Sequence, residues 1–326
     1  MNILVCGGAG YIGSHTVKEL KKRGHNPIVF DNLEAGHKEA ISNSKLIIGD
    51  LSDYQLLKET LINEKIDAVI HFAGYIDAAE SVYHPEKYYE NNVVNTITLL
   101  NCMNQCNIKK IIFSSSAAVY GIPKTNPVTE DAKLEPINSY GETKLVVERI
   151  LHFFEVAHNF KYIALRYFNV SGADIEGEIG PERNPPIQLI TKVIKSIVSE
   201  KEFYIFGNDF DTKDGTGVRD YIHVTDLAQA HILALDYLER NNKSNIFIVG
   251  SGNGFSVTEI IDMAQKTIGK NAIIKNSERR AGDPPIVLAD ISKIKKELGW
   301  EPKYSDIKTI ISKAYNWHKM HPNGYK

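Results

Sequence analysis

The chain has 326 residues, 43% of them hydrophobic and 24% charged, with a formal net charge of −2. That balance suits a folded protein with a sizeable core, long enough for two lobes. It gives no electrostatic case for nucleic acid or an anionic membrane. No uninterrupted apolar run reaches the ~18 residues of a membrane span, and no zinc-ligand spacing is present.

Taken in chain order, the first half alternates two patterns. Short apolar runs at Asn2–Cys6, Pro27–Phe30, Leu46–Ile48, Ala68–Phe72 and Lys110–Phe113 read as strands. Amphipathic stretches at Tyr11–Arg23, Asp53–Asn63 and Pro85–Cys106 read as helices between them. Buried strands alternating with helices imply an α/β, Rossmann-type, doubly wound parallel sheet covered on both faces. After Asn169 the rhythm weakens. Pro181, Pro185 and Pro186 mark a loop-rich region, and helices are expected near Gln188–Ser199, Asp226–Glu239 and Thr258–Ile268. This reads as a smaller C-terminal α/β lobe after a boundary near 170, with Tyr221–Gly250 a candidate to rejoin the first sheet. Cys6, Cys102 and Cys106 are too few for a disulfide framework. With no visible signal peptide they suit a reducing cytoplasm, and Cys102 and Cys106, at helical spacing, read as core packing.

The first strand runs into Gly7-Gly8-Ala9-Gly10-Tyr11-Ile12-Gly13. Glycines there let the backbone turn sharply and approach a pyrophosphate, which the following helix N-terminus attracts. Asp31 ends the second strand 18 residues after Gly13. A carboxylate there accepts hydrogen bonds from ribose hydroxyls and repels a 2′-phosphate, and the next residue, Asn32, is not a base. The cofactor expected is therefore NAD rather than NADP. Asp50-Leu51 closes the third strand, where the adenine belongs, although an Asp at such a turn often only caps.

Ser139 and Glu142 make a capping-box pattern, which predicts a helix starting at Ser139 with Ser139 as its cap. Tyr140 and Lys144 then share a face. A phenol has an ordinary pKa of about 10, and a neighbouring ammonium is expected to lower it by stabilising the phenolate. Such a pair can take a proton from a sugar hydroxyl while hydride leaves the same carbon. The fifth strand leads into Ser114-Ser115-Ser116, at the sheet edge where open parallel sheets hold ligands.

These residues resemble the extended short-chain dehydrogenase/reductase superfamily and, within it, the UDP-glucose 4-epimerases. The resemblance covers nearly the whole chain. It runs through Gly7–His15 (GGAGYIGSH), Asp31-Asn32-Leu33, His71–Gly74 (HFAG), Tyr88–Asn92 (YYENN), Ser114–Gly121, Tyr140–Lys144 and Arg166–Asn169 (RYFN). It continues through Ile205–Asn208 (IFGN), Asp214–Val224 (DGTGVRDYIHV) and Arg279–Asp283 (RRAGD). It implies reversible C4 epimerisation of UDP-hexoses through a 4-keto intermediate, with NAD as cofactor. Ser116 and Tyr140 would act on the sugar 4-hydroxyl and Lys144 would hold the nicotinamide ribose. Gly7, Gly10, Tyr11, Ile12, Gly13, Asp31, Asn32, Asp50, Leu51, Phe72, Ala73, Gly74, Asn91, Ser114, Tyr167 and Phe168 would complete the cofactor site. Asn169, Gln188, Leu189, Tyr204, Phe206, Arg219, Tyr221, Val257, Arg280, Asp283 and Val287 would hold the UDP-sugar. Guanidinium forks at Arg219 and Arg280 also suit a diphosphate on chemistry alone.

The implied division is 1–170 for NAD and 171–326 for the UDP-sugar, parts of 219–250 returning to the first. A homodimer through helices near Pro85–Cys106 and Ser139–Ala157 is also implied, with no nucleic-acid or membrane partner. Val287, small and apolar, borders the C2 side of the sugar on this resemblance, so N-acetylated UDP-sugars are expected to be accepted. The chain departs from the family where many members carry a lysine two residues after HFAG: Tyr75 and Ile76 follow here. Two other readings remain. A 4,6-dehydratase shares the fold but places Asp-Glu where this chain has Ala117-Ala118, which cannot transfer protons. A silent NAD-binding sensor would be expected to have lost Tyr140 or Lys144.

Overall fold

A computed structural model describes residues 1–41, 43–183, 185–280 and 283–325. Among the described residues thirteen strands form: β1 (Asn2–Cys6), β2 (Asn26–Asp31), β3 (Lys45–Ile48), β4 (Ala68–His71), β5 (Lys110–Ser116), β6 (Lys161–Tyr167), β7 (Asn169–Ser171), β8 (Glu202–Phe206), β9 (Val218–His223), β10 (Asn245–Val249), β11 (Gly254–Ser256), β12 (Ile273–Ser277) and β13 (Ile286–Val287). Seven of them make one sheet in the order β10-β6-β5-β4-β1-β2-β3. The pairs β1–β2, β1–β4, β2–β3 and β4–β5 are parallel. Every residue of β4, and every residue of β1 after Asn2, is buried, as a sheet covered on both faces requires. The Rossmann-type α/β sheet expected from the sequence is therefore present.

The chain divides into two compact units. The first comprises Met1–Gly121, Leu134–Arg166 and Ala228–Phe247, and the second Ile122–Lys133, Tyr167–Leu227 and Ile248–Lys326. The core of the first gathers Leu4, Ile28 and Phe30 from the sheet with Leu57 and Leu61 of the helix Tyr54–Asn63 and Leu99 and Met103 of the helix Asn95–Gln105. Each such side chain contributes about 1.5–3 kcal/mol on full burial. In the second unit the helix Leu189–Val198 buries Ile190, Val193, Ile194 and Ile197, an i, i+3, i+4, i+7 stripe, against Ile260, Ile261, Ile310 and Ile311.

Three local expectations change. The single helix expected over Pro85–Cys106 is three pieces: Pro85–Tyr88, a π-helical turn at Tyr89–Val94, and Asn95–Gln105. The wide turn brings Asn92 inward, where its side chain serves Tyr75 and Thr143. β5 runs on to Ser116 rather than stopping at Phe113. The helix starting at Ser139 is capped one residue earlier than expected, by Asn138, whose side chain accepts the Gly141 N–H at 2.8 Å. A capping box does form elsewhere, between Ser256 and Glu259.

Candidate active site

The glycine loop joins β1 to the helix Tyr11–Lys22 and is packed too tightly for side chains. A Cβ on Gly7 (φ +75°) would lie 2.6 Å from the Ala73 nitrogen, and one on Gly13 would lie 2.3 Å from the Gly7 carbonyl oxygen. At Gly10 an added Cβ would meet only Gly7 O, at 3.3 Å. Gly10 also caps the helix without a side-chain hydrogen bond, so the positive end of the helix dipole faces the loop with no competing side chain. This cradle fits a pyrophosphate. Tyr11 and Ile12 open the helix.

Asp31, at the end of β2, is buried. Its Oδ2 accepts the Ala9 N–H and its Oδ1 the Leu33 N–H, both at 2.9 Å. Burial pushes its pKa up, and those two bonds pull it back. The carboxylate thereby ties the second strand to the glycine loop and keeps lone pairs for a ribose. Asp50 accepts the Ser52 N–H and hydroxyl on Oδ1 and the Asn32 amide on Oδ2. It caps a turn and holds Asn32 in place; Leu51 is buried behind it. After β4, the Phe72 and Ala73 N–H groups both donate to Cys6 O, and Phe72 lies against His231 with centroids 4.7 Å apart.

The three serines ending β5 have three different tasks. The Ser114 carbonyl accepts the Lys144 ammonium at 2.9 Å. Ser115 Oγ donates to Glu148 Oε1 at 2.5 Å. Ser116 Oγ accepts the Ala118 N–H at 3.1 Å, capping the short turn Ala117–Tyr120, and its hydroxyl acts on Tyr140 to favour the ionised phenol. The helix Ser139–His158 carries Tyr140 and Lys144 on one buried face; they are 8% and 3% exposed. Gly74 completes the group, since a Cβ there would lie 3.7 Å from Lys144 Nζ. Asn91, expected at the cofactor, bonds its neighbour Asn92. It is Asn92 whose amide fixes the Tyr75 backbone and reaches Thr143.

One electrostatic expectation is corrected. Lys144 was expected to hold the Tyr140 phenol low. Its ammonium sits 6.0 Å from the Tyr140 ring centroid and bonds Ser114 instead. Burial raises the phenol, and the Ser116 hydroxyl is what favours its ionised form. Burial also brings Lys144 down to about 8. His71, pushed down to about 3 by burial and the nearby Lys144 charge, stays neutral. Thr96 Oγ1 already donates to Asn92 O, so it accepts from His71 Nε2 at 2.8 Å.

Sequence reasoning missed Glu148 and the task of Arg166. The Arg166 guanidinium bonds both Glu148 oxygens, and Nη1 reaches the Tyr120 hydroxyl at 2.9 Å. Both charged side chains are nearly inaccessible. The only sequence signal was an arginine inside an otherwise apolar strand.

In the second unit, Arg219 is the register partner of Val287 across β9–β13. Its guanidinium is lowered by burial and donates to Val218 O and Pro285 O. Arg280 pairs with Asp283 at 2.9 Å and lies 5.3 Å from the Phe206 ring centre. Ala281 and Gly282 of the same motif lie outside the described residues. On β8, Tyr204 and Phe206 face outward while Phe203 and Ile205 face the core. Asn169 is exposed and donates to Asp220 O. Tyr221 is buried in the core of the unit, and Leu189 and Val257 pack against that core. Gln188 precedes its helix without capping it through its side chain. Tyr167 is half-buried and Phe168 buried, the Phe168 N–H donating to Val249 O. Asp220, missed by sequence reasoning, is a buried support that accepts from Ser251, Gly252 and Ala289.

Among the described residues no helix is long and apolar enough to cross a membrane. A family model described as NAD dependent epimerase/dehydratase family matches residues 3–250. A Lactobacillus helveticus protein named UDP-glucose 4-epimerase is 49% identical, over 100% of this chain and 99% of its own. The structure of UDP-glucose 4-epimerase from Bifidobacterium longum in complex with NAD+ and UDP is 39% identical, covers all of both chains and superposes with a TM-score of 0.95. The UDP-Glc/GlcNAc 4-epimerase of Campylobacter jejuni is 45% identical over 98% of this chain and 99% of its own, with a TM-score of 0.85. By these matches and by the glycine cradle and Tyr140–Lys144 pair, the chain belongs to the NAD dependent epimerase/dehydratase family, in its UDP-glucose 4-epimerase branch.

Proposed function

We propose that the protein interconverts UDP-glucose and UDP-galactose by inverting C4 of the hexose. The observation that carries this reading is the buried set at the end of β5: Tyr140 and Ser116, with Lys144 anchored on the Ser114 carbonyl. NAD, held in the cradle, would supply reversible hydride chemistry for the sugar C4, so no net oxidant is needed. Tyr140 Oη takes the 4-hydroxyl proton and later gives it back, while Ser116 Oγ steadies the phenolate. Lys144 holds the ribose next to Gly74. Arg219 and Arg280 grip the diphosphate as bidentate donors. Inversion requires the other face of the ring to be presented, so the diphosphate is held firmly and the hexose loosely. In this division 1–170 supplies the cofactor contacts, Asn169 and the Ser116–Tyr140 pair that acts on the 4-hydroxyl, and 171–326 the remaining contacts to the UDP-sugar.

The relative from Campylobacter jejuni acts on UDP-Glc and GlcNAc by its name, and Val287 is a small apolar residue. We extend the substrate range to UDP-GlcNAc and UDP-GalNAc on that basis. The exposed apolar side chains Val82, Tyr83, Tyr89 and Val94, with Phe153 and Val156 on Ser139–His158, suit a homodimer. The three free cysteines suit the cytoplasm. The deciding experiment incubates purified protein and NAD with UDP-galactose, then with UDP-GalNAc, and separates the products. UDP-glucose and UDP-GlcNAc are expected without consumption of NADH. A 4-keto-6-deoxy product, or NAD binding without turnover, would replace this reading with the dehydratase or the sensor.

A further inference from the structure

The strand order β4-β1-β2 places the glycine loop, which follows β1, between the loops that follow β2 and β4. These strands are parallel, so all three loops leave the carboxyl edge, where open sheets hold their ligands. Neighbouring strands lie about 4.8 Å apart. A contact between the two outer loops therefore crosses roughly 10 Å, over a groove floored by the glycine loop. Such a contact exists. The Tyr75 hydroxyl donates to Glu34, 2.9 Å from Oε2 and 3.2 Å from Oε1.

Both ends are built. Leu33 takes φ +60°, a left-handed conformation that a leucine rarely adopts, and Asp31 Oδ1 holds its N–H. Asn32 Oδ1 then accepts the Glu34 N–H at 3.1 Å. On the other side, Asn92 accepts the Tyr75 N–H at 2.8 Å and donates to the Tyr75 carbonyl at 3.0 Å. The Tyr75 ring packs on Tyr88, and the Lys87 ammonium sits 4.3 Å from its centre while paired to Glu80. Burial, with Glu34 beside it, pushes the Tyr75 phenol up to about 12, so it remains a donor at neutral pH. A carboxylate beside a pyrophosphate gains nothing electrostatically, so direct anion binding does not explain Glu34. Closure does.

We propose that the Glu34–Tyr75 hydrogen bond is a clasp across the cofactor groove that must open for NAD to enter or leave. Tyr75 and Glu34 are positioning residues of cofactor exchange. The inference rests on NAD lying in the glycine cradle.

The test loads the full-length protein with NADH and chases with excess NAD, following the loss of bound-NADH fluorescence; association is measured separately by stopped flow. Removing one hydrogen bond to a charged acceptor should speed release about tenfold in Tyr75→Phe and in Glu34→Ala. Association should rise a few-fold as well, because the parent must open first. Glu34→Gln keeps an acceptor oxygen and should stay near the parent. The double variant should release no faster than either single one. Release within twofold of the parent, faster release without faster association, slower release in Glu34→Ala, or additive effects would each overturn the clasp. A parent protein that holds no NADH would instead overturn the cofactor assignment beneath it.

Discussion

Tyr140 is caught between two influences: burial favours the neutral phenol, and the Ser116 hydroxyl favours the phenolate that serves as base. Tyr140→Phe keeps the buried ring and removes the atom that carries the proton. Turnover is expected to fall about 10²–10⁴-fold. NAD occupancy, measured by chromatography of nucleotide released on denaturation, should stay at the parent level; near-full turnover would rule Tyr140 out as the base. Lys144 gives a pH prediction. Its pKa in the fold is about 8, lowered by burial, against an ordinary 10.5. Below pH 8 both folded and unfolded chains carry the ammonium, and the fold bears the full cost of burying it. Between about 8 and 10.5 the unfolded chain binds more protons, so stability rises with pH through that window. Lys144→Met removes this dependence. Its melting temperature relative to the parent should be highest near pH 7 and decline from pH 8 to 10. A difference independent of pH would mean that the buried amine is not titrating there. The glycine cradle, Asp31 and the Tyr140–Lys144 spacing were legible in sequence because each depends on a few neighbouring positions. The Tyr140 environment was not: the destination of the Lys144 ammonium is a carbonyl 30 residues away.

At the scale of elements, the end of β5 is braced by the helix Ser139–His158 and by β6. Ser115, Glu148 and Arg166 make a buried chain from one to the next, and Tyr120 closes it. Removing one member of a buried ion pair leaves the other charge stranded, typically at a cost of about 3–5 kcal/mol. Glu148→Met should therefore lower the melting temperature by roughly 4–7 °C, at the ~1.5 °C per kcal/mol that the unfolding entropy of a chain this long implies. The double variant Glu148→Met, Arg166→Met should recover most of that loss, because no lone charge remains. Thermal unfolding of the parent, both singles and the double decides it; additive losses would show that the pair is not acting as a unit. Element boundaries that follow local pattern were readable in sequence, as at Tyr11–Lys22 and Leu189–Val198. The π-helical turn at Tyr89–Val94 was not. Its stretch keeps a helical apolar pattern, and the wider turn brings in Asn92, whose partners Tyr75 and Thr143 lie far off in the chain.

On the scale of the whole molecule, the unit carrying the glycine loop is not one continuous stretch. Ala228–Phe247 groups with it. β10 forms the edge of the seven-stranded sheet, beside β6. Leu235, Leu238 and Phe247 are all buried. Residues 1–170 contain every proposed NAD contact, yet ending the chain after Val170 would remove β10. That leaves β6, with Ile163 and Leu165, as an open apolar edge, a template for pairing with other chains. The prediction is that a 1–170 fragment aggregates or melts without a cooperative transition, even though its cradle sequence is complete. The full chain, by contrast, should gain about 2.7 kcal/mol at an NAD concentration a hundred times its Kd. That corresponds to a rise in melting temperature of roughly 4 °C. Differential scanning calorimetry of both proteins, with and without NAD, makes the comparison. A soluble 1–170 fragment with a sharp transition that NAD moves upward would show that the cofactor half folds alone, and that the returning helix and strand merely decorate it.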